Sequence, residues 1–312
     1  MNRSQMERFM KKILVIGSYN VGLTVFGPTL PKAGQTILGD HFDMGPGGKG
    51  SNQAICIARL GGDVTFLARI GSDIFGKDAL ALFKKEGIHT GYIKIDKSAH
   101  TGAGIIFVDK ACHNAIGVAP GANYKLSSRD LDAASMLFKK SSFLLMQMEI
   151  PVPTLYHAME KAKKSSCTVI LNPAPAQKLN PKYLAMVDIL TPNESEAQVL
   201  TDISVSNAKD AVKAARKLVS QGIQSCIVTL GEKGCVLVSG KIEKRFPAYK
   251  VKPVDTTGAG DAFNGALVYA LAKGQDINDA IDFASKVAAI SVTSIGCVPG
   301  LPSLKTVERF RL

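Results

Sequence analysis

Seven short apolar runs recur along the chain, each ending in a polar or turn residue: KKILVIG, VTFLARIG, SSFLLMQM, SCTVILN, MVDIL, QSCIVTL and GCVLVS. Stretches with helical spacing separate most of them. Runs that are apolar at consecutive positions are covered on both faces, and alternation with helices makes a doubly wound, mostly parallel α/β sheet the expected fold. Ligands of such sheets bind beyond the carboxyl ends of the strands, so the polar residues just past each run are where chemistry is expected.

With 312 residues, 46% of them hydrophobic, the chain can bury one large core, and no Pro- or Ser-rich linker divides it. A single domain over 1–312 is expected. Two regions break the alternation: about 19–46, rich in Gly with little helical periodicity, and about 99–118, where TGAGIIFVDKACHNAIGV reads as a β-hairpin. Together they are expected to form a small sheet acting as a lid. The opening MNRSQMERFMKK, expected to be disordered or helical, has no apolar signal core, and no later segment is a long uncharged span. A cytoplasmic protein, with no membrane partner, is the expectation.

The net charge of +12 raises a nucleic-acid reading, but the basic residues are spread over helical stretches such as Lys84-Lys85 and Lys213-Arg216-Lys217 without aromatic interleaving. They read as solvated helix faces, and no nucleic-acid partner is expected. Six cysteines form no CxxC pair and five histidines no HxH or HExxH pattern, which leaves a zinc centre without support and points to reduced, mostly buried thiols.

Two glycine clusters run into helices. Asp255–Leu267 reads DTTGAGDAFNGAL: Gly258, Ala259 and Gly260 let backbone N–H groups approach an anion, and the following helix adds its dipole. Asp261 then places a carboxylate beside an anion site, a poor choice for affinity but a sound one for taking a proton from an attacking hydroxyl. A plain loop-to-helix junction capped by Asp261 is the structural alternative. The second cluster, GPGGKGSN (Gly45–Asn52), precedes QAICIARLGG, whose apolar residues suit a helix packed on a sheet. Glu149 and Asn172 follow apolar runs at strand ends. Asn193 and Glu196 read either as a helix-capping pair or as holders of water around magnesium. Thr229–Gly234, TLGEKG, is a hairpin turn or a nucleotide loop. No Walker A sequence and no GxGxxG after the first strand appear.

The ordered set GGKGSNQA, LLMQME, LNPAPA, DILTPNESEA, TLGEKG and DTTGAGDAFNGAL, spanning about Ile13 to Pro302, resembles the ribokinase-like (PfkB) family of carbohydrate kinases. The resemblance implies ATP as donor, Mg2+, K+ as activator, a homodimer through the lid, and phosphorylation of a pentose primary hydroxyl, with ribose giving ribose 5-phosphate. By likeness, Asp261 is the catalytic base and Gly258, Ala259 and Gly260 form the anion hole. Asn20, Gly22, Gly48, Lys49, Gly50, Asn52, Glu149 and Asp261 fall on sugar positions. Asn193, Thr229, Gly231, Gly234, Gly260 and Ser285 fall on nucleotide positions, and Glu196 on the magnesium position through water. Asp255, Thr257, Ser291, Ser294 and Gly296 match the monovalent-cation site. Two positions depart from the pattern: Gly22 stands where an Asp is usual, and Gly300 where a serine is. A kinase for fructose, deoxyribose or a nucleoside, and a sugar-binding regulator on the same scaffold, are the alternative readings.

Overall fold

Strands such as Ile13–Ile16 and Phe143–Gln147 are buried along their whole length, as runs without polar alternation require. In the computed structural model, which describes residues 10–111 and 113–311, eight strands form one sheet. Their order is Ile242–Phe246, Cys235–Ser239, Ser225–Thr229, Ile189–Leu190, Thr168–Asn172, Phe143–Gln147, Ile13–Ile16 and Val64–Leu67. The six from Ser225–Thr229 to Val64–Leu67 are parallel, and the last two in the chain pair antiparallel at one edge. Successive residues feed opposite cores. Ile13 and Val15 pack under the helices Lys49–Arg59, Ala259–Ala272 and Ile277–Ser291, while Leu14 and Ile16 pack under Val152–Lys164 and Ala208–Ser220. Each fully buried Leu, Ile, Val or Phe contributes roughly 1.5–3 kcal/mol.

The chain winds in one direction from Ile13–Ile16 to Val64–Leu67, then resumes on the other side with Phe143–Gln147. The order therefore reverses between Ile13–Ile16 and Phe143–Gln147. At such a switch point, loops diverge beyond the carboxyl ends and leave a crevice. Gly17-Ser18 and Met148-Glu149 lie just past those two ends.

A separate four-stranded sheet has the order His41–Gly47, Asn20–Gly27, Gly102–Asp109, Asn114–Ala119, which brings the two irregular regions together. The run VTFLARIG forms two strands where one is expected from the sequence. Val64–Leu67 joins the large sheet, and Arg69–Gly71 pairs with Lys94–Asp96 in a small parallel sheet. There Arg69 donates to Asp96 and Asp130, at 2.8 and 2.9 Å, tying the bend to two other segments. The N-terminal reading and Cys112 lie outside the described residues. Of the other cysteines, Cys56, Cys167, Cys226 and Cys235 are buried and Cys297 is partly exposed.

Candidate active site

Gly258 caps the helix Ala259–Ala272 with φ +80°, a left-handed conformation that glycine adopts without strain. A Cβ here would also lie 2.0 Å from Cys297 Sγ. The Ala259 N–H donates to the Thr256 carbonyl at 3.2 Å, so it is committed within the turn and unavailable to a ligand in this conformation. This narrows the anion hole expected from the sequence. Among the described residues no backbone carbonyl takes the N–H of Gly258, Gly260 or Asp261, and the space over Gly260 is open. These are the orphan donors that a helix N-terminus offers an anion.

Asp261 is 5% exposed. Its two oxygens are held separately: Asn52 Nδ2 donates to Oδ2 at 2.8 Å, and Gln53 Nε2 donates to Oδ1 at 2.9 Å. Burial raises its pKa, opposed by Lys49 and the two amides, and the balance lies above the usual carboxylate value. The carboxylate thus stays oriented while gaining proton affinity, as a general base requires. Among the described residues, the buried Asn52 Oδ1 and Gln147 Oε1 have no hydrogen-bond partner.

Below Asp261 runs a ladder of neutral side chains. Gln147 Nε2 donates to Gln53 Oε1 at 2.5 Å, and Gln53 Nε2 also reaches Asn172 Oδ1 at 3.1 Å. Asn172 Nδ2 donates to the Thr191 carbonyl at 3.3 Å, Thr191 Oγ1 to Asn264 Oδ1 at 2.6 Å, and Asn264 Nδ2 to the Gly260 carbonyl at 2.9 Å. Three strand ends are thereby tied to both glycine-headed helices. Gln53 and Gln147 were missed by sequence reasoning. Their signal was an uncharged polar residue inside an apolar run, QAICIARL and LLMQM, that packing must satisfy.

The GGKGSN cluster is itself the start of the helix Lys49–Arg59, with Gly48 as its cap at φ +89°, and its last four residues are helical. Gly50 packs against the Gly17-Ser18 backbone, with room for no Cβ: one would stand 2.6 Å from Ser18 N. Glu149 accepts from the Lys49 N–H at 2.9 Å and from the Ser18 hydroxyl. Burial pulls the Lys49 ammonium down, but Asp261, Glu149 and Glu196 around it prevail and leave its pKa raised. Glu196 is pushed up, chiefly by burial. Asn20 Oδ1 accepts from Asn123 Nδ2 at 2.9 Å, so this strand-end Asn is braced by a residue 103 positions away.

Asn193 and Glu196 form a reciprocal capping box, so the structural alternative of the sequence reading is realised. Among the described residues no cluster of three His, Cys, Asp or Glu could hold a metal. Both Glu196 oxygens accept from Asn193, from its N–H at 2.9 Å and from Nδ2 at 3.0 Å. Asn193 and Thr229 meet in a parallel β-bridge. Gly231 (φ +55°) and Gly234 (φ +90°) bound a tight turn, and Ser285 contacts Cys235 directly after it. The Ser285 hydroxyl itself donates to the Ile281 carbonyl.

Asp255 draws the last loop together. It accepts from the Thr257 N–H at 2.9 Å and the Gly296 N–H at 2.8 Å. Burial raises its pKa, but these hydrogen bonds prevail and lower it. Ser294 is exposed, and the Ser291 hydroxyl turns back to the Ala288 carbonyl, away from Asp255. A Cβ on Gly300 would stand 2.5 Å from the Ser291 carbonyl oxygen, so a serine there requires the loop to shift.

A carboxylate with a raised pKa, near the Lys49 ammonium and beside free helix N–H groups, can deprotonate a hydroxyl while the N–H groups hold the anion that the hydroxyl attacks. The pfkB family carbohydrate kinase model matches residues 10–304. A ribokinase from Haemophilus influenzae is 40% identical over 301 residues, covering 96% of this chain and 98% of that protein. A deoxyribokinase from Salmonella typhi is 38% identical over 299 residues, with 96% and 98% covered. The structure of Arabidopsis thaliana ribokinase complexed with ribose and ATP superposes with a TM-score of 0.90 at 29% identity, over 97% of this chain and 100% of that one. Ribokinase from Thermotoga maritima gives 0.87 at 37%, over 96% and 98%. With Asp261 and its glycine turn at the switch point of a sheet shared with these proteins, the chain belongs to the pfkB family of carbohydrate kinases.

Proposed function

We propose that the chain transfers the γ-phosphoryl group of ATP to the primary hydroxyl of a pentose, with ribose 5-phosphate as the product from ribose. The observation that carries this is the buried Asp261, fixed by Asn52 and Gln53 beside the open N-terminus of the helix Ala259–Ala272. Asp261 takes the proton of the hydroxyl. The N–H groups of Gly258, Gly260 and Asp261 receive the phosphoryl oxygens, with Ala259 completing the turn. Asn20, Gly48, Lys49, Gly50, Asn52 and Glu149 surround the sugar, and the vacant Asn52 Oδ1 accepts one of its hydroxyls. Asn193, Thr229, Gly231, Gly234 and Ser285 line the nucleotide.

Magnesium, oriented by Glu196 through water, neutralises polyphosphate charge when bound. For the potassium site, the Asp255, Thr257 and Gly296 group supports the reading, while Ser291 and Ser294 join it through backbone oxygens. The protein works in the cytoplasm as a homodimer joined at the small sheet, whose exposed Phe42, Met44 and Ile105 share one face by register and would be covered there. The small sheet closes as a lid.

A second reading, 2-deoxyribose as acceptor, is favoured by Gly22, which offers no carboxylate to vicinal hydroxyls, and by the deoxyribokinase relative. ADP release from ATP and magnesium with ribose, 2-deoxyribose, fructose and nucleosides, with and without potassium, tests all of this. Turnover with a pentose is expected. No turnover with any acceptor sinks the kinase reading and leaves a sugar-binding regulator.

A further inference from the structure

Three glycines stand side by side across the small sheet. Gly22 pairs with Gly45 on one neighbouring strand and with Gly104 on the other, and Val118 closes the row. Alternation along the strand puts Gly22 on the same face as Asn20. The opposite face carries Val21, Pro46 and Met44, which share a cavity with Phe75 and Leu82 of the helix Ile74–Lys85. Gly45 borders that cavity as well, while Gly22 and Gly104 lie on the face of Asn20, which the reading above sets against the sugar.

The fold does not demand these glycines. None of the three has a positive φ. A Cβ on Gly45 would meet nothing within 4 Å, one on Gly104 only the Val21 carbonyl oxygen at 4.0 Å, and one on Gly22 ordinary contacts at 3.5 and 3.7 Å. Gly102, one row closer to the core, is different: a Cβ there would collide with Asn20 Oδ1 at 2.1 Å. Glycine within a strand weakens it and is kept where a ligand or another backbone comes close. Three such positions abreast form a recess the size of the missing side chains. Its floor is Cα atoms and backbone already committed to sheet pairing, and its nearest side-chain atom is Ile106 Cδ1. Within 4 Å of the added Cβ positions the only side-chain atom is carbon, with Asn20 and Thr24 one row away on the same face.

We propose that the Gly45–Gly22–Gly104 row accommodates an acceptor sugar with an added carbon substituent, such as a methyl branch, on the ring edge away from the reacting hydroxyl. This rests on the kinase reading above and names its substrate class. The test measures kcat/KM for D-ribose, 2-C-methyl-D-ribose and 3-C-methyl-D-ribose with the unmodified chain and with Gly22→Ala, Gly45→Ala and Gly104→Ala. At least one branched sugar is expected at one-tenth of the ribose value or above, with its ratio to ribose falling at least tenfold in one or more variants. Both branched sugars below one-tenth of ribose, or ratios that move less than tenfold in all three variants, overturn the proposal. Variants that alter only the oligomeric state, measured by light scattering, overturn it in favour of a second copy's backbone as the occupant. Turnover of no sugar at all overturns the kinase reading instead. Should the variants not fold, calorimetric binding to the unmodified chain decides: branched-sugar affinity at or above one-tenth that of ribose supports the recess, and weaker binding removes it.

Discussion

The two glycine-headed helices look alike in sequence and differ in what their N-termini hold. Both begin at a glycine with positive φ, neither has a side-chain cap, and at both a Cβ would collide, with Asn20 N at Gly48 and with Cys297 Sγ at Gly258. At Lys49–Arg59 the free N–H groups are already taken: Lys49 gives to Glu149, and Ser51 to the Ser18 carbonyl. At Ala259–Ala272 those of Gly260 and Asp261 are not. One junction is closed by a carboxylate of the protein itself, and the other stays open to an anion from outside. A glycine-to-helix motif therefore marks a place where backbone approaches something closely, without saying whether that partner is protein or ligand.

The sharpest way to break this contrast is at the open end. Asp261→Asn should lower kcat by about 10²–10⁴-fold while calorimetry still detects ATP binding; an active variant would remove the base role. The two caps come next. Gly48→Ala drives a Cβ into backbone that cannot yield, so its main effect should be a fall in Tm, costing about 1–3 kcal/mol. Gly258→Ala meets a side chain, so Cys297→Ala in the same chain should recover part of its lost stability, with turnover still reduced by the strained turn. Equal behaviour of Gly48→Ala and Gly258→Ala would erase the distinction.

Gln53→Met, close in volume, removes one donor from the Asp261 carboxylate. Burial already raises that pKa, and Gln53 opposes the rise. Removing it should move the acid limb of the pH dependence of kcat/KM to higher pH, because the base must be deprotonated to act. An unmoved limb with a lower kcat would leave Gln53 a purely structural part. The smallest effect on stability belongs to the closed end: Glu149→Gln keeps the acceptor but loses the charge facing a helix N-terminus, about 0.3–1 kcal/mol, read as a slight fall in Tm. Its proposed place beside the sugar is read separately as a rise in KM.

The large sheet was legible because buried parallel strands leave continuous apolar runs, and the two caps because glycine punctuates sequence. The bend that splits VTFLARIG was not: Arg69 reaches carboxylates 27 and 61 positions away, and no local period encodes that. The same holds for Glu149, whose partner Lys49 lies 100 residues earlier. Its place at a strand end could be read, but its closure of the other helix could not. Asp261 stood out as a carboxylate in a glycine turn, while Gln53, next to a quoted motif residue, shows its role only when the strand-end amides converge on it. Gly22 could be seen as a departure. That it belongs to a row depends on strand register, which pairs it with residues 23 and 82 positions on.

The ladder under Asp261 has a consequence for proton traffic. Asn52, Gln53, Gln147, Asn172, Thr191 and Asn264 are joined by hydrogen bonds, yet none of them ionises near neutral pH. These amides and the threonine hydroxyl supply no ionisable group beneath Asp261, so on the proposed base role a proton it collects would leave on the side of Lys49 and Glu149, toward the mouth of the crevice. If the small sheet closes as proposed, each turnover would then be complete only when that mouth has reopened to water.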